Sequence, residues 1–356
     1  MRYDTDYREA RRLLRGRADR VAYAALGVIL LLLPFVLPTF YVGELSFIFI
    51  MCIASLGLMT LTGFTGQVSL GQAAFVGIGA YVHTQLLTLG LPLPAAMASA
   101  AACAALAGLA IGVPAIRVSG LHLAMVTLAF SVVTEHVLGR WKSVTGGHQG
   151  LAVPDPALFG WSLAGPLPFY FLCLAVVAIV LLVLLNVMRS ATGRAFIGIR
   201  DSEAAAQGLG IRVARTKVLA FGLSAGICGL AGALLAHHTQ YITPESFGLA
   251  LSLQLVLMVF IGGMGSLRGA ILGAILIGVL PSIISSLKPL LPARLAAQSG
   301  VELFVYGGVL TFFVLLEPAG LNGRWLRLRA WLGQFPLVRS TSQRRSKVYM
   351  RSERSR

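Results

Sequence analysis

The chain has 356 residues, 57% of them hydrophobic and only 12% charged, with a mean hydropathy of +0.82 and a formal charge of +16. No soluble core needs so much apolar sequence, which excludes a soluble enzyme or binding module; the long unbroken runs also exclude a β-barrel, whose spans are short and alternating. So positive a charge would suggest nucleic acid in a soluble protein, but the placement of the bases about a membrane accounts for it, and no nucleic-acid partner is expected.

Residues 1–20 form a basic segment with seven arginines. Apolar runs long enough to cross hydrocarbon, which takes ~20 residues per helix, follow at 21–43, 45–63, 67–89, 93–114, 121–139, 166–188, 217–236, 248–264, 268–287 and 301–317. The predicted fold is therefore all-α, a polytopic membrane protein of about ten transmembrane helices. With the N-terminus inside, twenty-five of the 29 Lys and Arg fall on the cytoplasmic side, and only Arg140, Lys142, Lys288 and Arg294 fall outside. That asymmetry satisfies the positive-inside rule and places both termini in the cytoplasm of a bacterial plasma (inner) membrane protein. The first apolar run exceeds the ~7–15-residue core of a secretory signal, so it reads as a retained helix. The domain reading is a basic N-terminal segment, a membrane domain over 21–317 with a cytoplasmic loop at 189–217, and a basic, partly disordered tail over 318–356.

Cys52, Cys103, Cys173 and Cys228 all fall inside spans and read as small buried apolar residues, with no disulfide or metal spacing. The stretch GFTGQVSLGQAAFVGIGAY, 63–81, is rich in glycine and uncharged polar groups at membrane depth. Backbone freed from helical bonding is tolerated there only where protein or a water-lined cavity satisfies it. Two readings stay open: a transport pathway lined by broken helix, or close packing through small residues. Thr65, Gln67, Ser69 and Gln72 are its polar side chains. Glu135 and His136 lie near the outer end of the fifth span, where a structural role for Glu135 beside Arg140 competes with a functional one. The loop 140–165 carries TGGHQG and two prolines; it reads as an external cap, a landing surface for a soluble binding protein that Arg140 and Lys142 would help hold, or an ordinary exposed loop. His237 and His238 are adjacent outside, with no third metal ligand in view. After the last span, LNGRWLRLRAWL (321–332) places Leu321, Trp325, Leu328 and Leu332 at helical spacing between arginines: a basic helix on the anionic inner leaflet or a plain stop-transfer anchor.

Most distinctive is the charged island at 189–217. Its six bases and two acids would each cost roughly 3 kcal/mol in hydrocarbon, so it lies in water on the basic side. Asp201 is expected to cap a short helix over 201–209, with Glu203 in its first turn, Ala204, Ala205 and Ala206 as helix formers, and Gly208 and Gly210 as the stop. A two-turn helix is unstable alone and needs a surface to dock on, its own protein or another.

The run Arg200-Asp201-Ser202-Glu203-Ala204-Ala205-Ala206-Gln207-Gly208-Leu209-Gly210-Ile211 resembles the coupling segment of ABC importer permeases, in particular the branched-chain amino-acid family of LivM type. Gly210 stands seven residues after Glu203, where the general pattern has six. Further stretches resemble the same family: Gly63 to Gln72 with Gly66 and Gly71, Gly120 to Phe130 with Thr127, Thr145-Gly146-Gly147-His148-Gln149-Gly150-Leu151, and Gly262 to Gly269. His122 stands where an aromatic residue is expected. The resemblance implies an ABC permease fold in which Arg200 to Ala206, Gly208 and Gly210 couple to an ATPase. It further implies a translocation pathway along Gly63, Thr65, Gly66, Gln67, Ser69, Gly71, Gln72 and Thr127, and an outer mouth at Arg140, Lys142, Thr145, Gly146 and Gly147. The implied partners are a second homologous permease subunit, two ATP-binding subunits, an extracytoplasmic binding protein and membrane lipid. The chain contains no phosphate loop of the form Gly-x-x-x-x-Gly-Lys-Ser/Thr. ATP–Mg would therefore be held by the partner ATPase, with no cofactor, metal or catalytic residue on this chain. The implied cargo is leucine, isoleucine or valine; urea, short amides or other amino acids are the alternative. An ion-driven secondary transporter or a membrane enzyme would need a coupling-ion site or a catalytic set.

Overall fold

A computed structural model describes residues 17–158, 161–163, 165–287, 307–308, 311–312 and 320–334. The α-helices of six or more residues among them are α1 (Arg17–Val36), α2 (Thr39–Leu58), α3 (Gln72–Thr88), α4 (Leu93–Ala115), α5 (Leu121–Arg140), α6 (Pro166–Arg189), α7 (Ala191–Asp201), α8 (Glu203–Gly208), α9 (Val213–Thr239), α10 (Leu249–Gly262), α11 (Leu267–Leu287) and α12 (Gly320–Gln334). Seven helical stretches among the described residues are long and apolar enough to cross a membrane. The seventeen-residue α3, and α1 with its apolar part Tyr23–Val36, fall short of that length. The expected span at 301–317 lies outside the described residues but for four positions.

Two boundaries differ from expectation. The first break falls at Pro38, not near Gly43: proline lacks the N–H that would continue the helix and pushes Leu37 out of the α region, whereas Gly43 sits inside α2. The third span starts at Gln72, because α2 ends in a π-turn, Met59–Gly63, and residues 66–71 are not helical.

α2 is apolar all round and buried on nearly every side from Ile48 to Leu58, as a helix at the centre of a bundle must be. α9 crosses it and lies along α4 and α3. Lipid tails are as apolar as leucine, so helices here associate by close packing of small residues. The α3–α9 crossing brings Gly79 onto the Gly229 backbone and Gly232 onto the Val76 carbonyl, with no room for a Cβ at either glycine. Hydroxyls stitch the bundle further: Ser224 Oγ donates to the Gly57 carbonyl at 2.8 Å, Ser55 Oγ to that of Ala270 at 3.2 Å, and Tyr170 Oη to that of Leu30 at 2.8 Å. Cys52, Cys173 and Cys228 are buried as expected, whereas Cys103 is exposed on the outer side of α4.

The connections gather at two ends. At one, Leu151–Ala152 pair antiparallel with Tyr241–Ile242, and the Val153 N–H donates to the Gln240 carbonyl at 2.9 Å. At the other, residues 63–66, the α7–α8 junction and the turn at 263–266 meet, and Gly320 at the start of α12 packs on Gly263. The helix expected over 321–332 is formed within α12, with Arg324, Trp325, Arg327 and Leu328 exposed.

Candidate functional site

The island between α6 and α9 folds as two helices in place of the single one expected. α7 buries Gly193, Phe196 and Ile199, three residues apart on one face, and its N-terminus is capped by Ser190, whose hydroxyl accepts from the Thr192 N–H at 3.2 Å. Because α7 runs through Asp201, that residue is helical and does not cap α8; the cap is Ser202, which takes the extended conformation a cap requires and accepts from the Ala205 N–H at 3.2 Å. The helix expected over 201–209 is accordingly six residues, 203–208. It ends as its glycines predict: Gly210 adopts φ +82°, the Ile211 N–H returns to the Ala206 carbonyl and the Gly210 N–H to that of Gln207, a Schellman closure. Ser202→Ala is expected to cost about 1 kcal/mol of local stability, measured as faster hydrogen exchange of the α8 amides with the rest of the chain unchanged.

So short a helix is held from below. Ala206 is buried, and Glu203 Oε1 meets Lys217 Nζ at 2.6 Å, with the lysine side chain only 6% exposed. Ala204, Ala205, Gln207, Gly208 and Leu209 are exposed. Leu209, at 82% exposure, escaped the sequence reading, although a leucine between two glycines in a polar island was the available signal. The Lys217 contact was equally unseen, since Lys217 counted there only as one base among several.

Arg200 joins the island to the broken stretch. Its Nε and Nη2 donate to Asp201 Oδ1 at 3.1 Å, and its Nη1 donates to the Gly63 carbonyl at 3.2 Å. Beyond Gly63 the freed backbone is satisfied by side chains, as buried backbone polar groups require. Thr62 Oγ1 donates to the Gln67 carbonyl at 3.1 Å, Thr127 Oγ1 accepts from the Leu70 N–H at 3.0 Å, and Ser252 Oγ accepts from the Ala73 N–H at 3.2 Å. Thr65 Oγ1 donates to the Leu61 carbonyl, and Gly71 lies against the Thr127 carbonyl. Ser69 Oγ accepts from Gln72 Nε2 at 3.4 Å, while Gln72 Oε1 accepts from Cys228 Sγ at 3.2 Å and Ser224 Oγ at 3.4 Å. Gln67 is the exception: at 5% exposure, neither atom of its amide has a partner. The polar residues singled out between 63 and 72, with Thr127, thus form one buried cluster that meets the island at Gly63.

Residues 40–314 match the family described as branched-chain amino acid transport system / permease component. The chain belongs to that permease family. It is 31% identical over 273 residues to the high-affinity branched-chain amino acid transport system permease protein LivM of Escherichia coli K12, covering 70% of this chain and 64% of that one. It is 32% identical over 267 residues to LivM of Salmonella typhimurium LT2, covering 68% and 63%. The chain thus spans a little under two thirds of the length of these curated relatives. The autoinducer 2 import system permease protein LsrC of Escherichia coli O9:H4 is 27% identical over 273 residues, covering 71% of this chain and 74% of that one. No solved structure matches the chain.

In this permease-family chain the outer set lies at the opposite end from the island. Arg140 and Lys142 are exposed, while Thr145 is buried and donates to the Leu138 and Trp141 carbonyls. Gly146 and Gly147 take φ +70° and +67°, which turns the chain into the ladder with Tyr241–Ile242. Glu135 makes no ion pair with Arg140; its carboxylate faces Gly248 at the start of α10, where a helix N-terminus favours negative charge. His237 does not act with His238: its Nε2 lies 2.8 Å from Nε2 of His83, across the α3–α9 crossing.

Proposed function

We propose that the chain is the transmembrane permease subunit of an ATP-driven ABC importer that moves leucine, isoleucine or valine inward by alternating access. It performs no chemistry itself: ATP–Mg is bound and hydrolysed by two separate subunits, a second related permease completes the pathway, and an extracytoplasmic binding protein delivers cargo to the end bearing Arg140 and Lys142. Both termini then lie in the cytoplasm of a bacterial inner membrane protein. The observation that carries this reading is α8, a capped helix fixed beneath by Ala206 and the Glu203–Lys217 pair, which leaves Ala204, Ala205, Gln207 and Leu209 uncovered. That small-residue surface with one leucine fits a cleft on an ATPase, and Arg200 offers the route by which the cleft's movement reaches the bundle.

The uncharged cluster from Thr65 to Gln72 suits a zwitterion with an apolar side chain, and the relatives named for branched-chain amino acid transport support that cargo. The relatives named for autoinducer 2 import keep a different small polar cargo as the second reading.

Gentle-detergent purification from the native cell tests the coupling role. The wild-type chain is expected to bring an ATPase and a second permease with it. Ala205→Arg and Leu209→Asp, both at exposed positions, are expected to lose the ATPase and keep the permease. A wild-type chain that comes alone under several mild conditions, or variants that retain the ATPase, would overturn the reading.

A further inference from the structure

Three segments distant in sequence meet at one guanidinium. Arg200 Nη1 donates to the Gly63 carbonyl, at the end of α2. Carbonyls in a last helical turn lack intrahelical partners, and a cation is favoured there by the helix dipole. The other edge of the same fork, Nε and Nη2, is tied to Asp201. The space around the fork is cut by two further glycines. A Cβ on Gly265, in the turn between α10 and α11, would lie 2.7 Å from Arg200 Nη1, and one on Gly66 would lie 3.1 Å from Arg200 Cγ. Both glycines are in the left-handed region, at φ +83° and +71°. The Gly265 N–H reaches back to Met59 Sδ at 3.3 Å, which closes the ring of contacts between the α10–α11 turn and the end of α2.

We propose that Arg200 is a positioning residue that transmits displacement of the coupling helix to the broken segment 63–71, seated in a socket formed by Gly63, Gly66 and Gly265. This rests on the coupling reading above and adds the physical link that reading lacks. Arginine is suited to both connections, because its rigid planar fork holds Asp201 with one edge and Gly63 with the other, whereas a lysine would have to serve both acceptors from one flexible point-like ammonium. What the socket moves is specific. Four residues beyond Gly63 stands Gln67, buried with its amide unpartnered, and such a group gains hydrogen bonds in any arrangement that turns it toward a partner. Arg200 thereby governs the one buried polar side chain in the cluster whose bonding is incomplete.

Two experiments test the link. In the detergent-purified chain, Arg200→Ala is expected to speed hydrogen exchange of the amides in 63–71 while leaving α9 protected, since local opening follows local contacts. In the reconstituted full transporter, Arg200→Ala is expected to keep its ATPase subunit and hydrolyse ATP, yet consume roughly two- to thirtyfold more ATP per substrate moved, the factor that corresponds to a coupling loss of about 0.5–2 kcal/mol. Arg200→Lys should recover little of this despite keeping the charge, and Gly265→Ala should do less additional harm in the Arg200→Ala background than alone. Unchanged exchange in 63–71, full recovery by Arg200→Lys, or a proportional loss of hydrolysis and transport would overturn the proposal. Loss of the ATPase subunit from Arg200→Ala would overturn it too, by making Arg200 a docking contact. A wild-type chain that binds no ATPase would instead overturn the coupling reading and the transmission with it, while the exchange result would still report whether the socket pins the segment.

Discussion

Replacing Glu203 by lysine is expected to abolish substrate uptake while the protein still inserts in the membrane. Lys217 is almost wholly buried, and Glu203 is its counter-ion at 2.6 Å. Breaking a buried pair from one side typically costs ~3–5 kcal/mol, and the 51% exposure of Glu203 places this pair at or below the lower end. Charge reversal does more than break it: a second cation faces Lys217, and α8 loses the contact that holds it to α9. A six-residue helix has no independent stability with which to resist. Glu203→Gln should be milder. Pairing it with Lys217→Met should recover much of the thermal stability, because neutral replacement of both partners avoids the stranded charge. Uptake assays alongside thermal unfolding of the purified variants decide this, and normal uptake by Glu203→Lys would sink it. Since Glu203 grips its own chain, loss of uptake here reports the integrity of α8, and Ala205→Arg remains the cleaner probe of an ATPase partner.

Gly232→Leu is expected to yield no folded protein at all. At the α3–α9 crossing a Cβ on Gly232 would overlap the Val76 carbonyl and crowd the Ala80 nitrogen. These are backbone atoms of a helix packed on its other sides, so nothing yields by rotating a side chain. Overpacking that a core absorbs costs ~1–3 kcal/mol; this one exceeds that range because only the separation of two helices relieves it. Even Gly232→Ala should lower the thermal unfolding temperature markedly. Gly43→Ala, at a helical glycine with open space around it, should not. A Gly232→Leu chain with wild-type yield and unfolding temperature would refute the close approach.

How far such features are legible in the sequence depends on where their causes lie. The helices read at 93–114, 121–139 and 166–188 end within a residue of α4, α5 and α6, because Pro92, Gly120, Gly165 and the terminal arginines Arg140 and Arg189 mark their ends locally. At the α1–α2 break, Pro38 is a stronger local signal than the apolar run that continues to residue 43. Asp201 and Ser202 are both good caps, and the choice fell to Ser202 because α7, unseen in the sequence, already occupied Asp201. Partners remote along the chain leave no local trace: nothing in the sequence joins Arg200 to Gly63, Gln72 to Cys228, or His83 to His237. The family resemblance singles out the run from Arg200 to Gly210 at the island, while its division into a face turned inward and a face left open comes only with three-dimensional contacts.

The glycine crossing also restricts the kinematics of the bundle. Where two backbones touch at Gly79, Gly229 and Gly232, a slide of a fraction of an ångström meets hard repulsion, and close-packed interiors switch between discrete arrangements without deforming smoothly. α3 and α9 are therefore expected to move together as one rigid lever, with its joints at the non-helical 66–71 leading into α3 and at the extended Ser202 and the turn at Gly210 ahead of α9.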